Sequence, residues 1–244
     1  MPRRNGHIRN FGMAAKLGSN SSLMGDLRAY PGGRQVIYFE SNDAGALLRF
    51  TDTYPRVIGG HLWAAMDPPS LNQTAPQEGL LNIRDFVIRG EPALERVAAG
   101  APGNAPAGIE FSRMRVEFLR SPGKFTVRDA VVRGPVVGAT MDGVLDYGAN
   151  EVRLRGTFVP LYGLNNMFGQ IPIVGLLLGG GDKEGLVGIT FEVVGPTGSP
   201  TLRVNPISAV APGLLRKVFE FPSSVPGERY PDAKASSSYA DRDR

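Results

Sequence analysis

The residue types that could carry out chemistry are few in this chain of 244 residues, and they lie far apart. Its two histidines, His7 and His61, stand alone on strand-like segments, with no nearby His, Asp or Glu at a metal-ligand spacing. Cysteine is absent, which excludes disulfides, thiolate nucleophiles and cysteine metal sites. We therefore expect no metal site and no cofactor.

Other chemical motifs are also incomplete. The glycine-rich stretch at 179–185 (GGGDKEG) has Glu184 where a phosphate-binding loop needs Ser or Thr after its lysine. No G-x-S-x-G nucleophile motif occurs. The carboxylates on strand-like runs are single, so an acid/base pair cannot be drawn from them. These are Asp142, Asp146, Glu151 and Glu192. The sequence predicts a protein that is not an enzyme and has no catalytic residues.

The charge pattern disfavours nucleic acid as a partner. The formal charge is only +4. Lys and Arg are scattered along strand-like runs and form no dense basic block with interleaved aromatic residues.

The elements that would position any site are mostly strands. Runs of alternating residues bounded by Gly, Pro and Asn recur from residue 8 to residue 204, a pattern typical of antiparallel strands; two of these runs are 57–66 and 201–204. We predict a mainly β fold, an extended and curled antiparallel sheet of repeated strands that forms a groove. A few short helices interrupt it, at about 44–53, 92–99 and 207–219. Residues 222–244 are rich in Ser, Pro and mixed charge and are expected to be a disordered tail.

A short repeat recurs in the chain, with an aliphatic residue, Arg, Asp or Asn, and then apolar residues. Its copies lie at 8–13 (IRNFGM), 83–90 (IRDFVIRG) and 127–134 (VRDAVVRG). Repeated strands of this kind favour an extended sheet in which each unit packs on its neighbours. Strict alternation places Phe86 and Ile88 on one face and Ile83 and Val87 on the other. The candidate groove residues are therefore Phe86, Ile88, Ala130 and Val132.

The uncharged segment 156–181 is long enough to span a membrane, but its prolines and glycines prevent a continuous helix. Two short helices are expected, at about 161–168 and 173–178, broken before Pro172. Their apolar faces could pack on the sheet of their own domain or rest on a bilayer surface. The candidate membrane contacts are Phe158, Leu161, Met167, Phe168, Ile171, Ile173, Leu176, Leu177 and Leu178.

The order of short segments from residue 138 to residue 221 is more specific than any generic fold requires. The segments are 143–147 (GVLDY), 156–161 (GTFVPL), 171–175 (IPIVG), 184–188 (EGLVG), 191–195 (FEVVG), 204–208 (VNPIS) and 211–216 (APGLLR). This order resembles the C-terminal region of the AsmA-like family, the large Gram-negative envelope proteins that include TamB and YhdP.

With this resemblance the chain divides into three parts: repeated strands with two short helices at 1–135, an AsmA-like C-terminal region at 136–221, and the tail at 222–244. The resemblance implies a periplasmic protein tethered to the inner membrane, in which an apolar groove conducts phospholipid toward the outer membrane. No export signal is visible in the first residues, so we expect the tether in a segment that precedes this chain. The expected partners are phospholipid or a membrane surface, with other envelope proteins as further candidates. The alternative function is a periplasmic interaction or chaperone-like module that binds outer-membrane protein strands at its sheet edges.

Overall fold

The protein is mainly β. The computed structural model describes residues 3–4, 7–8, 10–29, 33–70, 75–92, 94–95, 108–160 and 187–209. These residues form the helix α1, Ala44–Phe50, and thirteen strands. The strands are β1 Arg3–Arg4, β2 His7–Ile8, β3 Gly12–Lys16, β4 Ser22–Ala29, β5 Gln35–Ser41, β6 Val57–Met66, β7 Gln77–Ile88, β8 Ile109–Ser121, β9 Lys124–Arg133, β10 Val137–Asp146, β11 Glu151–Pro160, β12 Val187–Gly195 and β13 Thr201–Ala209.

Eleven of the strands, β3 to β13, form one open, groove-like antiparallel sheet in which each strand pairs with the next along the chain. Strands β1 and β2 pair separately. Some of the connections are tight turns, as between β8 and β9 and between β10 and β11, and a tight turn returns the chain beside the strand it has just left. The predicted mainly β fold with an extended antiparallel sheet is confirmed.

Helix α1 begins where its capping residues predict. Asp43 is the N-cap, and its Oδ1 accepts a hydrogen bond from the backbone N–H of Ala46 at 2.9 Å. The helix ends at Phe50, three residues earlier than predicted, and the Thr51 hydroxyl donates to the Leu47 carbonyl at 3.0 Å. In the second predicted helix, residues 92, 94 and 95 are helical and residues 96–99 lie outside the described residues.

The third predicted helix was expected to begin at about residue 207, and this start is wrong. Strand β13 continues through Pro206 to Ala209. An edge strand tolerates proline because one side of it needs no ladder hydrogen bond. The register with β12 also shifts between Gly188 and Thr190, and this irregularity absorbs the proline. Residues 210–219 and the predicted tail lie outside the described residues.

The repeat breaks the strict alternation on which its predicted faces depended. Ile83 and Phe86 are both buried in one cluster, so the prediction that they lie on opposite faces is wrong. Asp85 between them has φ 53°, a left-handed conformation that reverses the alternation. In the next copy, β9 carries an extra residue near Arg128 relative to both of its neighbours, and Val127 and Ala130 share a face in the same way.

Candidate functional site

One face of the sheet is apolar along a line that crosses every strand. Residues paired in register on adjacent antiparallel strands lie side by side on the same face. Following these pairs from β3 to β13 gives a row of eleven residues, one from each strand, which we call the central row. It consists of Met13, Gly25, Phe39, Ala64, Leu81, Val116, Ala130, Met141, Gly156, Phe191 and Val204. Every member is apolar or glycine.

Two parallel rows flank the central row on the same face. The row nearer α1 has Ser41 as its one polar member and comprises Ala15, Leu23, Ser41, Leu62, Ile83, Met114, Val132, Ala139, Phe158 and Ile189. The row on the other side carries no polar side chain and comprises Leu27, Ile37, Met66, Gly79, Phe118, Val127, Gly143, Leu154, Val193 and Leu202. We call the three rows together the apolar face. At a strand spacing of about 4.8 Å, the central row extends for roughly 48 Å.

At some positions on this face a glycine pairs with a phenylalanine on the next strand, and the ring fills the space above the glycine. Gly79 pairs with Phe118 and Gly156 pairs with Phe191 in register. A side chain on either glycine would collide with the ring of its partner. Phe191 also stacks on Phe158 with ring centroids 4.2 Å apart. The glycines therefore make room for aromatic rings from the neighbouring strands.

The end of the apolar face near α1 is closed. Ala44 of the helix packs in the same cluster as Val57, Ile83 and Phe86, all of which are nearly fully buried. Gly45 approaches the Val57 carbonyl so closely that a side chain there would collide with it. At this end the helix therefore covers the sheet.

A polar contact joins the loop after α1 to the residues that follow β7. Glu91 Oε2 accepts a hydrogen bond from the Tyr54 hydroxyl at 3.2 Å and from Arg56 Nη1 at 2.7 Å. Burial, and then the Glu91 carboxylate, raise the pKa of Tyr54 well above its ordinary value of 10.0, because both disfavour the phenolate. As long as the Tyr54 hydroxyl is protonated, this contact links the loop after α1 to Glu91 at the closed end of the face.

The opposite end of the apolar face is more open and becomes polar. Phe125, Leu145 and Leu154 are only half-buried there. Beyond the three apolar rows, Gln77, Arg120 and Phe125 pair in register on β7, β8 and β9. Arg120 is exposed and its Nη1 donates to Gln77 Oε1 at 2.9 Å. An arginine therefore stands at the open end of an otherwise uncharged face.

On β10 to β13 the reverse face of the sheet is polar, whereas on β5 to β7 it carries a buried apolar cluster of Val36, Tyr38, Trp63, Ala65 and Leu80. Asp142, Arg155, Glu192 and Arg203 pair in register across β10 to β13, so that charges of opposite sign alternate. Arg155 Nε donates to Asp142 Oδ2 at 3.1 Å. A depression of about 640 Å³ is lined by these residues. Because its two acidic and two basic side chains balance, we assign no ligand to it.

Two of the four predicted groove residues lie on the apolar face, and two lie beside its closed end. Ala130 and Val132 belong to its rows, while Phe86 and Ile88 pack in the cluster at its closed end. Phe158, the first of the predicted membrane contacts, is 8% exposed and buried against Phe191. The other eight predicted membrane contacts lie outside the described residues. Contact of these residues with lipid or a membrane stays a prediction.

Sequence reasoning missed Gln77 and Arg120. The alternation of Val116, Phe118 and Arg120 along β8 could have indicated that this arginine lies on the apolar face. His61 Nε2 lies 2.9 Å from Glu40 Oε1, a contact that the sequence did not predict. Within the described ranges, no three His, Asp or Glu side chains come close enough to hold a metal ion.

No helix in the described part of the chain has the length and apolar composition needed to cross a bilayer. Comparison with protein-family models, with curated proteins and with solved structures finds no match to this chain. A function for the apolar face therefore has to be argued from the geometry of the face alone.

Proposed function

We propose that this chain conducts phospholipid along its apolar face and is the C-terminal part of an AsmA-like envelope protein that works between the inner and outer membranes. The observation that carries the proposal is the apolar face, which crosses all eleven strands without a charged side chain. Burial of each methylene of an acyl chain contributes about 0.8 kcal/mol, so an apolar surface needs no directed polar contact to hold a lipid tail.

The openness of the sheet supports movement of lipid as well as binding. An antiparallel sheet that closes into a barrel encloses its ligand, whereas this sheet ends in two separate edge strands, β3 and β13. The rows run from one edge to the other, perpendicular to the strands. A lipid tail could therefore slide along a row while its headgroup stays in water.

Neighbouring residues on β10 provide a matched test. Leu145 lies on the same side of the sheet as the apolar face, in the next row beyond it, and Val144 lies on the reverse face; both are half-buried. Extraction of a fluorescent phospholipid from donor vesicles is measured for the full chain and for the variants Leu145→Glu and Val144→Glu. We expect Leu145→Glu to reduce extraction roughly tenfold, because a charge resists burial against an acyl chain, and Val144→Glu to have little effect.

Circular dichroism of both variants checks that the β-sheet remains. Equal losses in the two variants would refute the assignment of lipid to the apolar face. Mass spectrometry of the protein purified from bacterial membranes provides a second measurement, with co-purified phospholipid as the expected result.

The second candidate function, an interaction or chaperone-like module for outer-membrane protein strands, is favoured by the exposed edge strand β3. All five residues of β3 are exposed. The Leu27 N–H donates to the Phe11 carbonyl, and the Leu17 N–H donates to the Ser21 carbonyl. Odd-numbered residues of β3 therefore bond toward β4, and the N–H of the even-numbered Ala14 points to the free edge.

The variant Ala14→Pro removes this outward donor without removing a bond to β4. Loss of crosslinking to an outer-membrane protein strand in this variant, with lipid extraction unchanged, would favour the second candidate function. Unchanged crosslinking would count against it.

A further inference from the structure

We propose that Arg120 binds the phosphate of a net-anionic phospholipid whose acyl chains lie on the apolar face. The inference rests on the proposed function and names the class of lipid. Its basis is the position of one arginine at the open end of that face, beside a buried glutamine.

The register places Arg120 directly beside an apolar surface. It pairs with Phe125 on β9, and the row beyond Phe125 continues through Leu145 and Val152. The next row inward begins the uncharged surface at Gly79 and Phe118. A lipid with its tails on the three apolar rows therefore meets Arg120 where its headgroup leaves them.

The buried side chain of Gln77 binds the guanidinium of Arg120 and leaves its charge unchanged. Gln77 is 8% exposed, and its Oε1 accepts a hydrogen bond from Arg120 Nη1 at 2.9 Å. Its Nε2 donates to the backbone carbonyl of Asp67 at 2.6 Å, so both ends of the amide are engaged. The orientation of Arg120 is thereby set by a neutral side chain, and the arginine itself is exposed.

In the part of the chain that the structure describes, Arg120 has a neutral partner, Gln77, and no acidic one. The Asp67 carboxylate is bound by Arg34 at 2.6 Å, and Glu78 on the reverse face binds Arg128 at 3.1 Å. Among the described residues, no carboxylate forms an ion pair with Arg120. By contrast, Arg153 and Arg155 on the reverse face each have a carboxylate partner.

Charge complementarity therefore selects a net-anionic lipid over a zwitterionic one. A planar guanidinium donates to two phosphate oxygens at once, and the aliphatic part of the arginine can lie along the apolar surface. A zwitterionic headgroup carries an amine that already neutralises its phosphate, so it gains less from the Arg120 guanidinium.

The test compares phosphatidylglycerol with phosphatidylcholine of the same acyl chains, each as a fluorescent probe in donor vesicles. We expect the full chain to extract phosphatidylglycerol about fivefold to tenfold better at low salt, and Arg120→Gln to remove this preference while extracting phosphatidylcholine as before. The matched control is Arg155→Gln, which makes the same charge change on the reverse face and should keep the preference.

A second variant, Gln77→Glu, keeps the shape of the support but gives Arg120 a carboxylate partner. It should also remove the preference for phosphatidylglycerol, and circular dichroism checks that it folds. Equal extraction of the two lipids by the unmodified chain, or a preference that survives Arg120→Gln, would overturn the role of Arg120 but not the lipid-binding face. Extraction of neither lipid would overturn the proposed function and this inference with it.

Discussion

The ring of Phe191 lies across Gly156 on the neighbouring strand, near one end of the central row. A methyl group on Gly156 would collide with that ring and with the Thr140 carbonyl on the strand beyond. The two residues therefore act as one unit, in which the absence of a side chain on one strand makes room for an aromatic ring on the next. Gly79 with Phe118 repeats the arrangement.

We expect Gly156→Ala to lower the free energy of unfolding by about 1–3 kcal/mol, because the added methyl group overpacks the sheet. Urea denaturation measures the change. The matched control is Gly12→Ala on β3, where a methyl group would meet nothing within 4 Å. Its effect should stay within about 0.5 kcal/mol. Similar effects at the two positions would mean that the ring does not depend on the glycine.

Phe86 anchors the closed end of the apolar face. It is 1% exposed and stacks on Phe111 with ring centroids 5.2 Å apart. Truncation in Phe86→Ala leaves a cavity and should lower the free energy of unfolding by about 3–5 kcal/mol. Phe50→Ala, which changes a side chain that is 73% exposed, should change it by less than about 0.5 kcal/mol. A small loss at Phe86 would contradict the placement of this ring in the core.

The left-handed backbone at Asp85 gives a prediction whose sign depends on the new residue. Asp85 has φ 53°, so Asp85→Gly should leave stability unchanged or raise it, while Asp85→Val should lower it by about 1–2 kcal/mol. Asp129 occupies the same place in the next copy of the repeat but has no positive φ. There the glycine variant should be destabilising. Thermal unfolding of the three variants checks the order, and a destabilising Asp85→Gly would refute the account of the repeat.

The pKa of Tyr54 predicts how the closed end responds to high pH. Its folded-state pKa is raised, so its contribution to stability is fully present below pH 10.0 and is lost as the pH rises above that value, where the unfolded chain ionises first. Tyr54→Phe should be less stable at neutral pH by about 0.5–1.5 kcal/mol, and its deficit should shrink above pH 10.0.

Urea unfolding on both sides of pH 10.0 measures the difference between Tyr54→Phe and the unmodified chain. Tyr147→Phe, at an exposed tyrosine in the turn after β10, controls for general effects of losing a phenol. A deficit that stays constant across the pH range would show that the environment of Tyr54 does not disfavour the phenolate.

Particular strands illustrate how far the sequence could predict the fold. Strand β6 begins and ends where its alternating pattern does, at Val57 and Met66. The local pattern suffices there because an antiparallel strand needs only its two neighbours in the sheet, here β5 and β7. Strand β13 was predicted too short, because a proline such as Pro206 usually indicates the end of a strand. The sequence does not show that β13 is an edge strand, where proline is tolerated.

The sequence by itself determined that the chain forms a long antiparallel sheet, since period-two alternation and turn residues act over a few positions. Only the tertiary structure decided which residues share a face, because Asp85 and the extra residue in β9 reverse the alternation locally. It also decided that Gln77 and Arg120, far apart in sequence, become neighbours at the open end of the apolar face. Register between strands depends on packing and bulges along their whole length, and no local pattern records it.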